Sequence, residues 1–172
     1  MKRKLIIILT VLFFDLSLAF PGFIFDPWLE YIRLKQHYSK MQPEHFNAIY
    51  MASRRYNLTV DEIAAIINSE SEFNSTAVSC AGARGLMQVM PFNYQGNSND
   101  LFNPEINCDS GTRYYIFCLE LAKGDRQVAL RYYNAGPASI AARYKNWGYV
   151  SAIRKNTLLS TKIDMKRYYT IY

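Results

Sequence analysis

Glu70 stands where an apolar residue belongs. The run Thr59-Val-Asp-Glu-Ile-Ala-Ala-Ile-Ile-Asn-Ser-Glu-Ser-Glu-Phe73 reads as one helix, with Ile63, Ile66, Ile67, Glu70 and Phe73 on a single face. A carboxylate on that face is costly unless it is paired or protonated. Burial favours the neutral form and raises the pKa, the condition for a general acid near neutral pH. The plain alternative is a Glu that curls out at the helix end or pairs with an Arg.

Other chemistries lack their residues. His37 and His45 lie upstream, before or at the very start of the apparent domain, and read as surface residues, so a Ser-His-Asp or Cys-His catalyst has no base near the core. No cluster has zinc spacing, so no metal and no cofactor is expected. Gly82-Ala-Arg-Gly85 lacks the lysine of a phosphate loop and reads as a tight turn. Glu72 lies about 200° round the helix from Glu70, which predicts a solvated residue outside any shared cleft. Asp100, Glu105 and Asp109 are remote in sequence. A glycosidase of the common kind needs two facing carboxyl groups, and the sequence offers one strong candidate.

The elements that must position Glu70 are helical. An amphipathic helix is predicted over 28–38, and Pro43 opens another that runs to about Tyr56. Thr59 and Glu62 form a capping box for the Glu70 helix. Residues 75–85 form a small-residue loop, and 92–104 a polar segment. A helix follows over about 109–122, and Asp125 caps another to Tyr133. Asn134-Ala-Gly-Pro137 is a sharp turn, and a last helix covers about 148–158. The fold class is therefore mainly α, with room for a very small β hairpin within 84–103.

Lys2-Arg3-Lys4, the apolar run Leu5–Phe14 and Ser17-Leu18-Ala19 have the layout of a secretory signal, with cleavage after Ala19. An uncleaved N-terminal membrane anchor is the alternative, although Asp15 interrupts the segment early. The expected organisation is a signal or anchor over 1–19, a linker and prelude helix over 20–43, the working domain over 44–160 and a basic, Tyr-rich tail over 161–172. The net charge is +6; Lys2, Arg3, Lys4 and Asp15 account for +2 of it, which leaves +4 for the mature chain. A mildly basic exported protein suits an anionic polymer such as the cell wall. Nucleic acid is not expected, because the positive residues are scattered and no base-stacking motif stands out. An oxidising compartment allows one disulfide among Cys80, Cys108 and Cys118. Cys80 with Cys108 is the preferred pair, since both read as near loops, and Cys118 reads as a core position.

Three blocks narrow the chemistry. Glu70-Ser-Glu-Phe-Asn74, Gly82-Ala-Arg-Gly-Leu-Met-Gln-Val-Met-Pro91 and Ala129-Leu-Arg-Tyr-Tyr-Asn-Ala-Gly-Pro137 occur in an order that resembles the soluble lytic transglycosylase family. Asn103-Pro-Glu-Ile-Asn107, with Gly111 and Tyr114, looks like its connecting helix, and Tyr149-Val150 like its closing pair. The likeness covers residues 45–158. It departs at Ser75, where the family has Pro, and at Arg143-Tyr-Lys-Asn-Trp-Gly148, where a Glu-Thr-Arg-like stretch often precedes Tyr-Val.

The resemblance implies a lysozyme-like helical domain that cleaves the MurNAc–GlcNAc bond of peptidoglycan in the periplasm or cell envelope. Carried over by position, Glu70 is the catalytic acid. Met87 and Gln88 would line one side of the sugar cleft, and Tyr133 and Asn134 the other, with Tyr133 orienting Glu70. Glu70 would give its proton to the glycosidic oxygen, then take one from the C6 hydroxyl of MurNAc, which closes on C1 as a 1,6-anhydro sugar. Whether cleavage is exo or endo is left open. Two rivals stand beside this reading: a hydrolytic muramidase, and a non-catalytic wall-binding accessory of a secretion, conjugation or phage-entry machine.

Overall fold

The computed structural model describes residues 26–137 and 147–156. The expected export segment and the tail lie outside them. The described residues hold six α-helices: α1 (Asp26–His37), α2 (Pro43–Tyr56), α3 (Val60–Ser71), α4 (Pro104–Leu121), α5 (Arg126–Ala135) and α6 (Trp147–Asn156). Short 3-10 turns occupy Pro91–Asn93 and Ser98–Phe102. Contacts divide the chain inside α1, after Arg33. In the first unit Trp28, Leu29 and Ile32 are exposed, and the Trp28 and Tyr31 rings lie 5.6 Å apart. No helix among the described residues is long and apolar enough to cross a membrane.

The second unit begins at Leu34. In it α2 packs on α4, α4 on α5, and α6 on both α3 and α5. The predicted helical face of α3 is its core: Ile63, Ile66 and Ile67 are fully buried. The small hairpin amounts to two isolated antiparallel bridges, Val78 with Arg84 and Arg84 with Val89.

Local chemistry explains where the helices begin. Pro43 occupies the first turn of α2, and the Gln42 N–H donates to His45 Nδ1 at 3.2 Å. His45 is thus a buried capping residue, contrary to its expected surface position, and burial lowers its pKa. Thr59 Oγ1 accepts the Glu62 N–H at 3.2 Å, which starts α3. Glu62 does not complete the box. Its carboxylate accepts from Tyr115 Oη at 2.7 Å and Arg126 Nε at 3.0 Å instead. Asp125 caps α5 by accepting from the Gln127 and Val128 N–H groups.

The helix expected from about 109 begins five residues earlier. Asn103 Oδ1 accepts the Glu105 and Ile106 N–H groups, and Pro104 takes the first position of α4. That shift turns Cys108 inward: it is fully buried on α4, while Cys80 is exposed on its loop. The preferred Cys80–Cys108 disulfide is therefore absent, and all three cysteines are free thiols.

Candidate active site

The site forms where α3 stops. The helix ends at Ser71, and Glu72 (φ 51°) and Phe73 (φ 64°) follow in the left-handed region. Two successive non-glycine residues there are uncommon and reverse the chain sharply. Phe73 turns back into the core, where its ring meets Tyr38 at 5.2 Å and His45 at 6.1 Å. Ser71 Oγ donates to the Leu86 carbonyl at 2.7 Å and ties the helix end to the next loop.

Between these segments lies a groove of about 610 Å³, lined by Lys40, Glu70, Glu72, Asn74, Val78 and Gln88 among others. The reversal after Ser71 corrects one expectation. Glu72 lies past the end of the helix, so the angular argument does not apply to it, and it lines the same groove as Glu70. The two carboxylates differ in partners. Lys40 Nζ meets Glu72 Oε2 at 2.5 Å and holds that carboxyl below its ordinary pKa. Burial raises the pKa of Glu70, against the opposing effect of a hydrogen bond from Tyr149 Oη at 2.5 Å. Among the described residues Glu70 has no cationic partner.

Gln88 is delivered by a clamped loop. The buried Asn107 side chain on α4 donates from Nδ2 to the Arg84 and Leu101 carbonyls at 2.8 and 2.7 Å. Its Oδ1 accepts the Met87 N–H at 2.7 Å. The approach demands glycine at two places. A Cβ on Gly85 would lie 2.2 Å from the Leu101 carbonyl oxygen, and one on Gly111 would lie 2.6 Å from Met87 Cβ. So held, Gln88 adopts φ 49° and donates from Nε2 to the Gly85 carbonyl at 2.9 Å.

The five residues carried over by position thus separate. Glu70 and Gln88 line the groove. Met87 is fully buried against α4, so its side chain is core filling. Tyr133 is half-buried behind it, and its hydroxyl donates to the Met87 carbonyl at 2.7 Å rather than to Glu70. Asn134 is exposed on α5 and does not line this groove. The hydroxyl that meets Glu70 belongs to Tyr149 on α6. Burial first, then the charge of Glu70, pushes Tyr149 and Tyr133 well above the ordinary phenol range. Each therefore keeps its proton and serves as a hydrogen-bond donor. Tyr149 lies 79 residues from Glu70, and the only sequence signal for it was the Tyr-Val pair. Lys40 and Glu72 carried no signal of a role in the groove.

The mainly helical body matches the lysozyme-like fold of solved lytic transglycosylases. The transglycosylase SLT domain model matches residues 47–153, and the chain belongs to that family. It is 34% identical over 129 residues to the membrane-bound lytic murein transglycosylase C of Salmonella typhimurium, and equally to that of Salmonella typhi. Those matches cover 64% of this chain and 36% of each relative, so the chain spans about a third of the length of these curated relatives. Among solved structures, an inactive mutant of the lytic transglycosylase Slt from Pseudomonas aeruginosa shares 26% identity at a TM-score of 0.52, covering 62% of this chain and 20% of that one. The 70-kDa soluble lytic transglycosylase of Escherichia coli shares the fold, with 24% identity and a TM-score of 0.51 over 66% of this chain and 21% of that one.

Proposed function

We propose that this chain is a peptidoglycan lytic transglycosylase with Glu70 as its single acid and base. The observation that carries the reading is a half-buried carboxyl group in a groove, its pKa raised by burial, with a phenol and, among the described residues, no cation paired with it. Such a group holds a proton to donate to the glycosidic oxygen and, once ionised, is basic enough to accept another. The acceptor step takes the proton of the MurNAc C6 hydroxyl, which bonds to C1 and gives the 1,6-anhydro end. The sugar is its own nucleophile, so no second carboxylate is needed to activate water. Tyr149 would steady the ionised form between the steps. Gln88, with Nε2 engaged by the loop, would offer its carbonyl oxygen to the sugar.

Family membership supports a glycan strand as the substrate, as do the names of the Salmonella relatives. The Pseudomonas structure described as inactive carries a glutamate-to-glutamine change, which supports a carboxyl catalyst. The N-terminal sequence layout and the membrane-bound relatives support an exported protein acting in the periplasm or envelope. We read residues 44–160 as the catalytic domain, within which the family match falls. A secretion or conjugation machine is the kind of partner such a small domain would serve.

One observation favours the hydrolytic rival. Glu72 supplies a second, ionised carboxylate on the groove wall, where it could activate water. Clearing of purified sacculi by wild type, Glu70→Gln and Glu72→Gln separates the readings. We expect Glu70→Gln alone to abolish clearing. Equal loss in both variants would favour hydrolysis by a carboxylate pair, and clearing by Glu70→Gln would remove Glu70 from the chemistry.

A further inference from the structure

Lys40 reaches the groove from outside the family domain, whose model begins at residue 47. The turn that carries it is firmly held. The Lys35 ammonium donates to the Ser39 carbonyl at 2.7 Å and the Met41 carbonyl at 2.5 Å. Tyr38 and Met41 are buried, and the Tyr38 ring packs on Phe73, in the reversal that follows the Glu70 helix. The fold therefore fixes the backbone of Lys40 while leaving its side chain 66% exposed.

Its partner is replaceable. The Glu72 side chain is 69% exposed, and a pair so open to water adds little to folding. Among the described residues that line the groove, Lys40 is the only cation, and the other charged ones are Glu70 and Glu72. An anionic ligand entering this groove thus meets one ammonium that can change partner. The anions of a peptidoglycan strand hang from the lactyl group of MurNAc, as the lactyl carboxylate itself or as carboxylates of the attached stem peptide. We propose that Lys40 forms an anion subsite for a carboxylate borne on that lactyl substituent, with Glu72 holding the ammonium until the strand arrives. The inference rests on the glycan-strand reading above and adds the substituent that the groove recognises.

The test measures binding by the full chain in a Glu70→Gln background, so that no ligand is consumed. Three ligands are compared: strands with stem peptides, strands stripped of them, and chitin oligosaccharides of equal length, which carry no carboxylate. Lys40→Ala should lower the affinity ratio of peptidoglycan to chitin oligosaccharide by about fivefold, the scale of one exposed charge contact. Lys40→Arg should retain it, and Glu72→Gln, which frees the ammonium, should raise it. A loss confined to stem-bearing strands assigns the stem carboxylates, and a loss on stripped strands assigns the lactyl carboxylate. A ratio indifferent to Lys40, or one lowered by Glu72→Gln, would overturn the subsite. If wild type binds with this preference and cleaves nothing, the subsite stands and the transglycosylase reading falls. If it cleaves and the ratio ignores Lys40, the subsite falls alone.

Discussion

Helix α3 carries two half-buried glutamates two turns apart, on one ridge with Ile66 between them. Glu62, near the start, is paired: Arg126 and Tyr115 both donate to its Oε1, and only 13% of its side chain is exposed. Glu70, near the end, has the Tyr149 phenol, no cation among the described residues, and a groove in front of it. Helix, residue type and depth are alike, so the partners make the difference. A guanidinium turns Glu62 into a tie between α3, α4 and α5. At Glu70 burial raises the pKa, and no cation among the described residues is there to offset it.

That contrast can be broken from either end. The largest effect is expected at Glu70→Gln, which should reduce cleavage by about 10²–10⁴-fold, the usual worth of a general acid. The same variant should melt no lower than wild type at pH 7. Because the folded Glu70 pKa lies above its ordinary 4.5, the native state binds more protons than the unfolded state between the two values. Stability from this group therefore falls as pH rises through that window. Glutamine removes the burden, so any gain in melting temperature should vanish below pH 4.5. A marked loss of stability at pH 7 would show that Glu70 is structural.

Glu62→Gln should do the opposite. It leaves Arg126 without its carboxylate and should destabilise the fold by about 2 kcal/mol, less than a fully buried pair because Arg126 is 36% exposed. Cleavage per folded molecule should stay within about threefold of wild type, since no reacting atom is touched. Denaturant melts beside initial rates would check both numbers. A folded but inactive Glu62→Gln would dissolve the contrast.

The smallest effect sharpens the comparison. Tyr149→Phe removes the hydrogen bond that lowers the Glu70 pKa, so that pKa should climb further. The alkaline limb of the rate profile, where the acid loses its proton, should move to higher pH, and the rate should fall by about tenfold, or 1.4 kcal/mol. Tyr133→Phe should weaken the Met87 loop without moving that limb, because its hydroxyl donates to a carbonyl. A shift with Tyr133→Phe and none with Tyr149→Phe would return the orienting role to Tyr133.

How much of this was legible depended on range. Periodicity found Glu70 and its isoleucine face, and local caps found Pro43, Thr59 and Asp125, because each signal lies within one turn of helix. The Asn103-Pro104 start of α4 was equally local; the pattern reading set it about five residues late because its polar neighbours read as loop, whereas the motif resemblance placed Asn103–Asn107 in the connecting helix. The polar, upstream position of His45 hid its burial under Phe73, which depends on a chain reversal that no spacing rule foretells. The same reversal brought Glu72 into the groove. Tyr149, of which no role was expected, meets Glu70 in place of Tyr133, because the choice rests on the packing of α6 against α3 and not on either residue's neighbours. Motif resemblance located the blocks, while Met87 shows that a motif position can be core rather than cleft.

The central claim is that one carboxyl group serves as acid and then base while the sugar supplies the nucleophile. Mass analysis of the muropeptides released from sacculi tests it most directly. Wild type should release 1,6-anhydro ends, lighter by one water than reducing ends, and Glu70→Gln should release none. Release of hydrated ends alone would contradict it and assign the groove to a hydrolase.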